Sequence, residues 1–280
     1  MSWVRFFYIL FLLVNSTSIF GFAVFGLHPE FLAKWSWAPP IFASSYPFFA
    51  QIQILLAFAV LAAKLTGEVG RRWLLAFGLV FILSAISELM GTTYGIPFGK
   101  YAYTELLGFK ILDRVPYLIP VSWFFMALPS FMVAHRALAR FSGRVARIIV
   151  GAILLLSWDL TLDPAMSFLT PFWLWDDVNG VFYGMPLGNL AGWFVTGLVI
   201  MGVFELLQVQ KWAGLVSPAW WQGYYLANLM LPLGMCFAAG LWDAISITVV
   251  VLTPCVLSEM WTRKRGLSRP EWNPAASQSR

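Results

Sequence analysis

The sequence predicts an all-α fold, a polytopic transmembrane helix bundle of about eight spans with structured loops on its outer side. Three observations carry that expectation. Hydrophobic residues make up 60% of the chain and charged residues only 11%, where a soluble domain is nearer half apolar and a quarter charged. Mean hydropathy is +0.77. Apolar runs of about 20 residues, the length needed to cross a bilayer, recur from end to end. The 280 residues are enough for a large soluble core, but too few are polar to cover one.

Candidate spans fall at about 4–26, 47–64, 73–90, 115–135, 146–163, 187–207, 222–239 and 241–260. The first has Arg5 ahead of an apolar run, as a signal peptide does. That run continues to Gly26 with no small-x-small cleavage site, and it reads as a membrane helix. Gly240 and Asp243 leave only a tight turn between the last two. One integral-membrane domain is expected over 1–262, followed by a polar, basic tail at 263–280 expected to be disordered. No internal repeat is visible.

Basic residues set the orientation. With eight spans and both termini cytoplasmic, the cytoplasmic segments hold Arg5; Lys64, Arg71 and Arg72; Arg136, Arg140, Arg144 and Arg147; Lys211; and Arg263, Lys264, Arg265, Arg269 and Arg280. Those are 14 of the 18 Lys and Arg. Lys34, Lys100, Lys110 and Arg114 remain outside. The net charge of +5 is explained by these flanking residues and does not call for nucleic acid.

The acids then separate by depth. Glu88 is expected at the outer end of the third span, Asp159 and Asp163 at the outer end of the fifth, and Asp243 at the outer turn. Glu205 and Glu259 lie at cytoplasmic ends, where snorkelling accounts for them. Ionisable groups at membrane depth are costly and by default mark a functional site. The plainer alternative is that each is an interfacial or capping residue.

Several chemistries are excluded. Two histidines, His28 and His135, are too few for a membrane di-iron oxygenase. No dinucleotide fingerprint, phosphate loop or Gly-x-Ser-x-Gly nucleophile motif is present. Cys236 and Cys255 sit in apolar runs and read as small hydrophobes, without a disulfide framework or zinc site. No cofactor and no metal are expected. An enzyme of this composition must work with carboxyl groups and aromatics.

Three outer segments concentrate glycine, proline, aromatics and acids: Glu88 to Tyr103, Trp158 to Pro164, and Trp173 to Trp193. Asp159 and Asp163, four apart, share a helix face. Pro164 ends that helix or starts a turn. Asn189, just inside the sixth span, is either a carboxyl or water ligand or a helix N-cap. Irregular backbone at membrane depth survives only when buried in protein or lining a cavity, so these segments are expected to form a cap over the third, fifth and sixth helices. Aromatics there either form an interfacial belt, as expected for Trp35, Trp37, Tyr46 and Tyr117, or pack a polyene and stabilise a carbocation through their ring faces.

The combination of Glu88 with Gly95-Ile-Pro-Phe-Gly-Lys-Tyr-Ala-Tyr103, Asp159-x-x-x-Asp163-Pro164, and Tyr183-Gly-Met-Pro186 with Asn189 and Gly192-Trp193 resembles the carotenoid 1′,2′-hydratase family of the CruF type. The similarity extends over about 75–260 and departs at Leu190, where an aromatic is expected. The resemblance implies cofactor-free addition of water to the terminal C1′=C2′ bond of an acyclic carotenoid such as γ-carotene, lycopene or bisanhydrobacterioruberin, in a cell (inner) membrane. Asp159 and Asp163 are then the candidate acid–base pair, with Glu88 and Asn189 positioning water. Tyr94, Phe98, Tyr101, Trp158, Trp175, Tyr183 and Trp193 are candidates to bind substrate, and Trp158, Tyr183 and Trp193 to shield a cation. The expected partners are the lipid-soluble carotenoid, water, membrane lipid and other carotenoid-pathway enzymes. The rival readings are a carotene end-group cyclase or isomerase, and a membrane transporter or carotenoid-binding protein.

Overall fold

The apolar runs fold into eight long helices among the described residues, which in this computed structural model are 3–138, 143–177 and 180–264. They are α1 (Trp3–Gly21), α2 (Ala38–Val69), α3 (Trp73–Tyr94), α4 (Leu118–Ala137), α5 (Arg144–Asp163), α6 (Leu187–Leu206), α8 (Pro218–Ala238) and α9 (Trp242–Lys264), with a short α7 (Val209–Ala213) between the sixth and eighth. Six are long and apolar enough to cross a membrane: α1 with the turn that follows it, and α2 to α6. In α8, Gln222, Tyr224, Tyr225 and Asn228 dilute the apolar run, and the described apolar part of α9 is Trp242–Pro254.

Three boundaries differ from the sequence reading. The second helix begins at Ala38, well ahead of 47, because prolines in a first turn lack only an N–H that would go unpaired. Pro47 is carried inside it. At 32 residues α2 is about 48 Å long, more than a bilayer core needs. The third helix runs on to Tyr94, ending where Gly95 adopts φ 76° and donates its N–H to the Gly91 carbonyl at 2.8 Å. Glu88 therefore lies inside α3. The fifth helix ends at Asp163 as read, and Pro164 opens a π-helical turn, Pro164–Phe168. A matching π-helical turn, Phe22–Gly26, extends α1. Of the tail expected at 263–280, residues 263 and 264 belong to α9, which continues through Lys264, and 265–280 lie outside the described residues.

At the centre stands α4, which packs against α2, α3, α5, α6, α8 and α9. The first helix is tied into the bundle: Tyr8 donates to the Gly223 carbonyl at 3.0 Å, and Asn15, fully buried, donates to Ala227 at 3.3 Å. Over one end lies the expected cap. Its key element is an antiparallel ribbon of β1 (Tyr101–Tyr103) and β4 (Trp173–Trp175), in register Tyr101 with Trp175 and Tyr103 with Trp173. A second small ribbon joins β2 (Lys110–Ile111) to β3 (Val115–Pro116).

Glu205, at the end of α6 away from the cap, does not snorkel. Its side chain is too short to leave the bundle, and it is instead buried against Arg147 at 3.2 Å and Arg144 at 3.8 Å. The Glu259 and Cys255 side chains lie outside those described. Cys236 is buried, its thiol facing the Thr161 carbonyl at 3.5 Å.

Candidate active site

Beneath the ribbon is a chamber of about 80 Å³, and its walls include Glu88 from α3, Asp159 and Asp163 from α5, and Asn189 from α6. All four are buried to 3% exposure or less. The helix period explains the pairing on α5, because residues four apart stack on one face. Asn189 is not an N-cap, since Pro186 occupies that position. Its amide bridges the two aspartates, donating to Asp159 Oδ2 at 2.7 Å and to Asp163 Oδ2 at 3.3 Å.

The ribbon supplies the remaining donors. Strand side chains alternate between faces, so Tyr101 and Tyr103 point the same way, as do Trp173 and Trp175. Both tyrosine hydroxyls reach Glu88 Oε2, that of Tyr103 at 2.9 Å. Both indoles reach Asp163 Oδ1, Trp173 at 2.8 Å and Trp175 at 3.3 Å. Glu88 Oε1 accepts a third bond from Trp123 Nε1 at 2.8 Å. Burial and the adjacent Glu88 carboxyl hold both phenols well above the ordinary tyrosine range, which keeps them as O–H donors. Among the described residues, none of the three carboxyls forms an ion pair. Among the described residues Asp159 accepts one hydrogen bond, from Asn189.

Aromatic faces complete the walls. Trp123 stacks on Trp193 with centroids 4.1 Å apart, and Trp158 meets Trp193 edge-on at 6.0 Å. Phe98 plugs the space between α3 and α6, where two glycines make room. A Cβ on Gly91 would lie 2.8 Å from the Phe98 ring, and one on Gly192 would lie 2.9 Å from Phe98 Cα. Either substitution forces a backbone or ring shift.

The candidates from sequence divide clearly. Phe98, Tyr101, Trp158, Trp175 and Trp193 line the chamber together with the three acids and Asn189. Tyr94 does not: six residues beyond Glu88 on the same helix, it points to another side and is 74% exposed. Tyr183 does not either, because it sits in a turn at φ 52° and packs on Phe168 and Phe182. Tyr46, assigned to the interfacial belt, lines a groove beside the chamber. Trp35, Trp37 and Tyr117 are exposed as a belt requires. Asp243 lies in the first turn of α9, and His28 pairs with Glu30 at 3.2 Å on the surface.

Chamber residues that were not among the site candidates include Tyr103, Trp123, Trp173, Asn228, Gln53 and Ser122. The Tyr-x-Tyr and Trp-x-Trp spacing was a usable sign for two of them, since alternate strand residues share a face. Asn228, on α8, donates through Nδ2 to the Tyr224 carbonyl at 2.8 Å, while its Oδ1 is buried with no hydrogen-bond partner among the described residues.

A family model described as "Carotenoid biosynthesis protein" matches residues 49–254, a stretch that contains every polar chamber residue. The chain belongs to that family. Among curated proteins, this member of the carotenoid biosynthesis family is 29% identical over 160 residues to a bisanhydrobacterioruberin hydratase of Haloarcula japonica, an alignment covering 57% of this chain. The matched stretch spans about half of that relative's length, 54%. No solved structure matches the chain.

Proposed function

We propose that this protein is a carotenoid hydratase that adds water across the terminal C1′=C2′ double bond of an acyclic carotenoid, leaving a tertiary alcohol at C1′. The observation that carries the proposal is the meeting of Glu88, Asp159, Asp163 and Asn189 in one aromatic chamber. Membership of the carotenoid biosynthesis family supports the substrate class, and the name of the haloarchaeal relative supports the reaction.

The reaction is redox-neutral. A carboxylic acid gives its proton to C2′, the π electrons form the new C–H bond, and a tertiary cation remains at C1′. Water attacks that carbon, and a carboxylate removes the extra proton. Hydrogen-bond valence distributes these roles. Asp163 and Glu88 are ringed by N–H and O–H donors, which suit an ionised carboxylate. Asp159, with one donor, has oxygen free to carry the proton. Asp159 is thus the acid and Asp163 the base, and their shared helix face lets the proton return after each turnover. Asn189 and Glu88 orient the water, and the Trp158 and Trp193 faces shield the cation.

An end-group cyclase would begin with the same protonation but needs a dry pocket in which the cation meets only carbon. The polar side chains of Glu88, Asp159, Asp163 and Asn189 around the chamber favour hydration, because each can hydrogen-bond a water. The distribution of basic residues orients the ribbon outward in a cell membrane with both termini cytoplasmic.

The test is expression in a bacterium that accumulates lycopene, with pigments analysed by mass. A product heavier by one water is the expected result. An isomer of unchanged mass would point to cyclisation, and unaltered pigment to a transporter or binding protein.

A further inference from the structure

A chamber of about 80 Å³ is well below the roughly 300 Å³ at which ligand pockets begin. It can admit the end of an isoprenoid chain but not the chain. Any substrate that puts its terminal double bond beside Asp159 must run out through a second space.

One such space adjoins. A groove of about 220 Å³ lies between α1, α2 and α8, and it shares Ala50, Met166, Phe172 and Leu231 with the chamber wall. Together the two spaces come to roughly the 300 Å³ at which ligand pockets begin. The groove's surface is rich in aromatics, with Phe22, Phe25, Phe42, Tyr46, Phe49 and Phe172 along it. Several of these are only partly buried, so it opens on the flank of the bundle, where a lipid-dissolved molecule arrives. Both π-helical turns of the described residues border it, through Phe22 and Phe25 on one side and Met166 on the other. Such turns are frequent at functional sites.

We propose that this groove is the polyene channel: it holds the conjugated chain of the substrate and delivers its end group to the carboxylates past Ala50, Met166, Phe172 and Leu231. The proposal rests on the hydratase reading for its ligand, but its test separates the two. Flat aromatic faces at the groove stack along a rigid conjugated chain, which loses little conformational freedom on binding, whereas a saturated acyl chain must be straightened.

Gly21 is the position to probe, because a side chain there points into open space and meets no atom within 4 Å. Wild type, Gly21→Ala, Gly21→Trp and Asp159→Asn are purified from lycopene-accumulating cells, and bound pigment per protein is read by absorbance. Wild type, Gly21→Ala and Asp159→Asn are expected to retain pigment, and Gly21→Trp to lose it at least tenfold. Pigment retained by Gly21→Trp overturns the proposal. If wild type holds pigment in the groove but adds no water to it, the hydratase reading fails and the channel stands. If Gly21→Trp hydrates lycopene as wild type does, the reverse holds. Should Gly21→Trp not fold, Ser18→Cys on the same wall replaces it. Maleimide labelling at residue 18 is followed by peptide mass, with and without lycopene in phospholipid vesicles. At least fivefold protection by lycopene supports the channel, and equal protection by phospholipid alone overturns it.

Discussion

Buried acids occur at both ends of this bundle, and they are kept in opposite ways. At one end Glu205 lies against Arg147 and Arg144. At the other, Glu88, Asp159 and Asp163 share a chamber with indoles, phenols and an amide, and with no cation bonded to them among the described residues. A fixed cation neutralises a carboxylate permanently and thereby removes it from proton traffic. Neutral dipoles stabilise charge without cancelling it, so the group can still give up or take a proton. The first arrangement is architecture and the second is chemistry.

Four substitutions test that contrast, from the largest expected effect to the smallest. Asp159→Asn removes the proposed donor without changing shape, and should lower hydration of lycopene by about 10²–10⁴, the usual contribution of general acid–base catalysis. Mass analysis of pigment, normalised to membrane-inserted protein, reads it. Asp163→Asn should follow within the same range. If both variants convert near normally, the cap-end acids are not the catalytic pair. Glu205→Gln leaves Arg147 and Arg144 facing a neutral amide in place of a buried carboxylate, which weakens charge-assisted bonds worth about 1.5–3 kcal/mol. Its melting temperature in detergent should fall while turnover of the surviving folded protein stays within about twofold, since Glu205 lies at the end of α6 away from the chamber. A selective loss of turnover with unchanged melting would erase the distinction between the two ends. Trp173→Phe keeps the ring but deletes one N–H to Asp163, and should slow hydration about tenfold, because a hydrogen bond to a charged group is worth about 1.5–3 kcal/mol.

Much of this was legible from the chain. Uninterrupted apolar runs have few ways to fold in lipid, so the long helices could be read directly. The acids were legible for a related reason, because Glu88, Asp159 and Asp163 are expensive wherever they are unneeded. What escaped is direction. Trp123 sits in an apolar helix where a lipid-facing tryptophan would look the same, and only the packing of α4 at the centre gives it an acid partner. Tyr94 and Tyr183 misled for the converse reason, since they lie in the right segments but face away from the cavity. Glu205 was mistaken because its partners lie on α5, and nothing local in α6 announces them. Asn228 was hidden among the apolar residues of a helix with no acid of its own.

The ribbon has one more consequence, for the order in which the protein is made. Its two strands are separated in sequence by the whole of α4 and α5, yet one carries the donors for Glu88 and the other those for Asp163. The ribbon itself cannot pair until both intervening helices have returned the chain to the same side. A chain with a skipped or inverted segment would place the two strands on opposite sides and leave the ribbon unpaired.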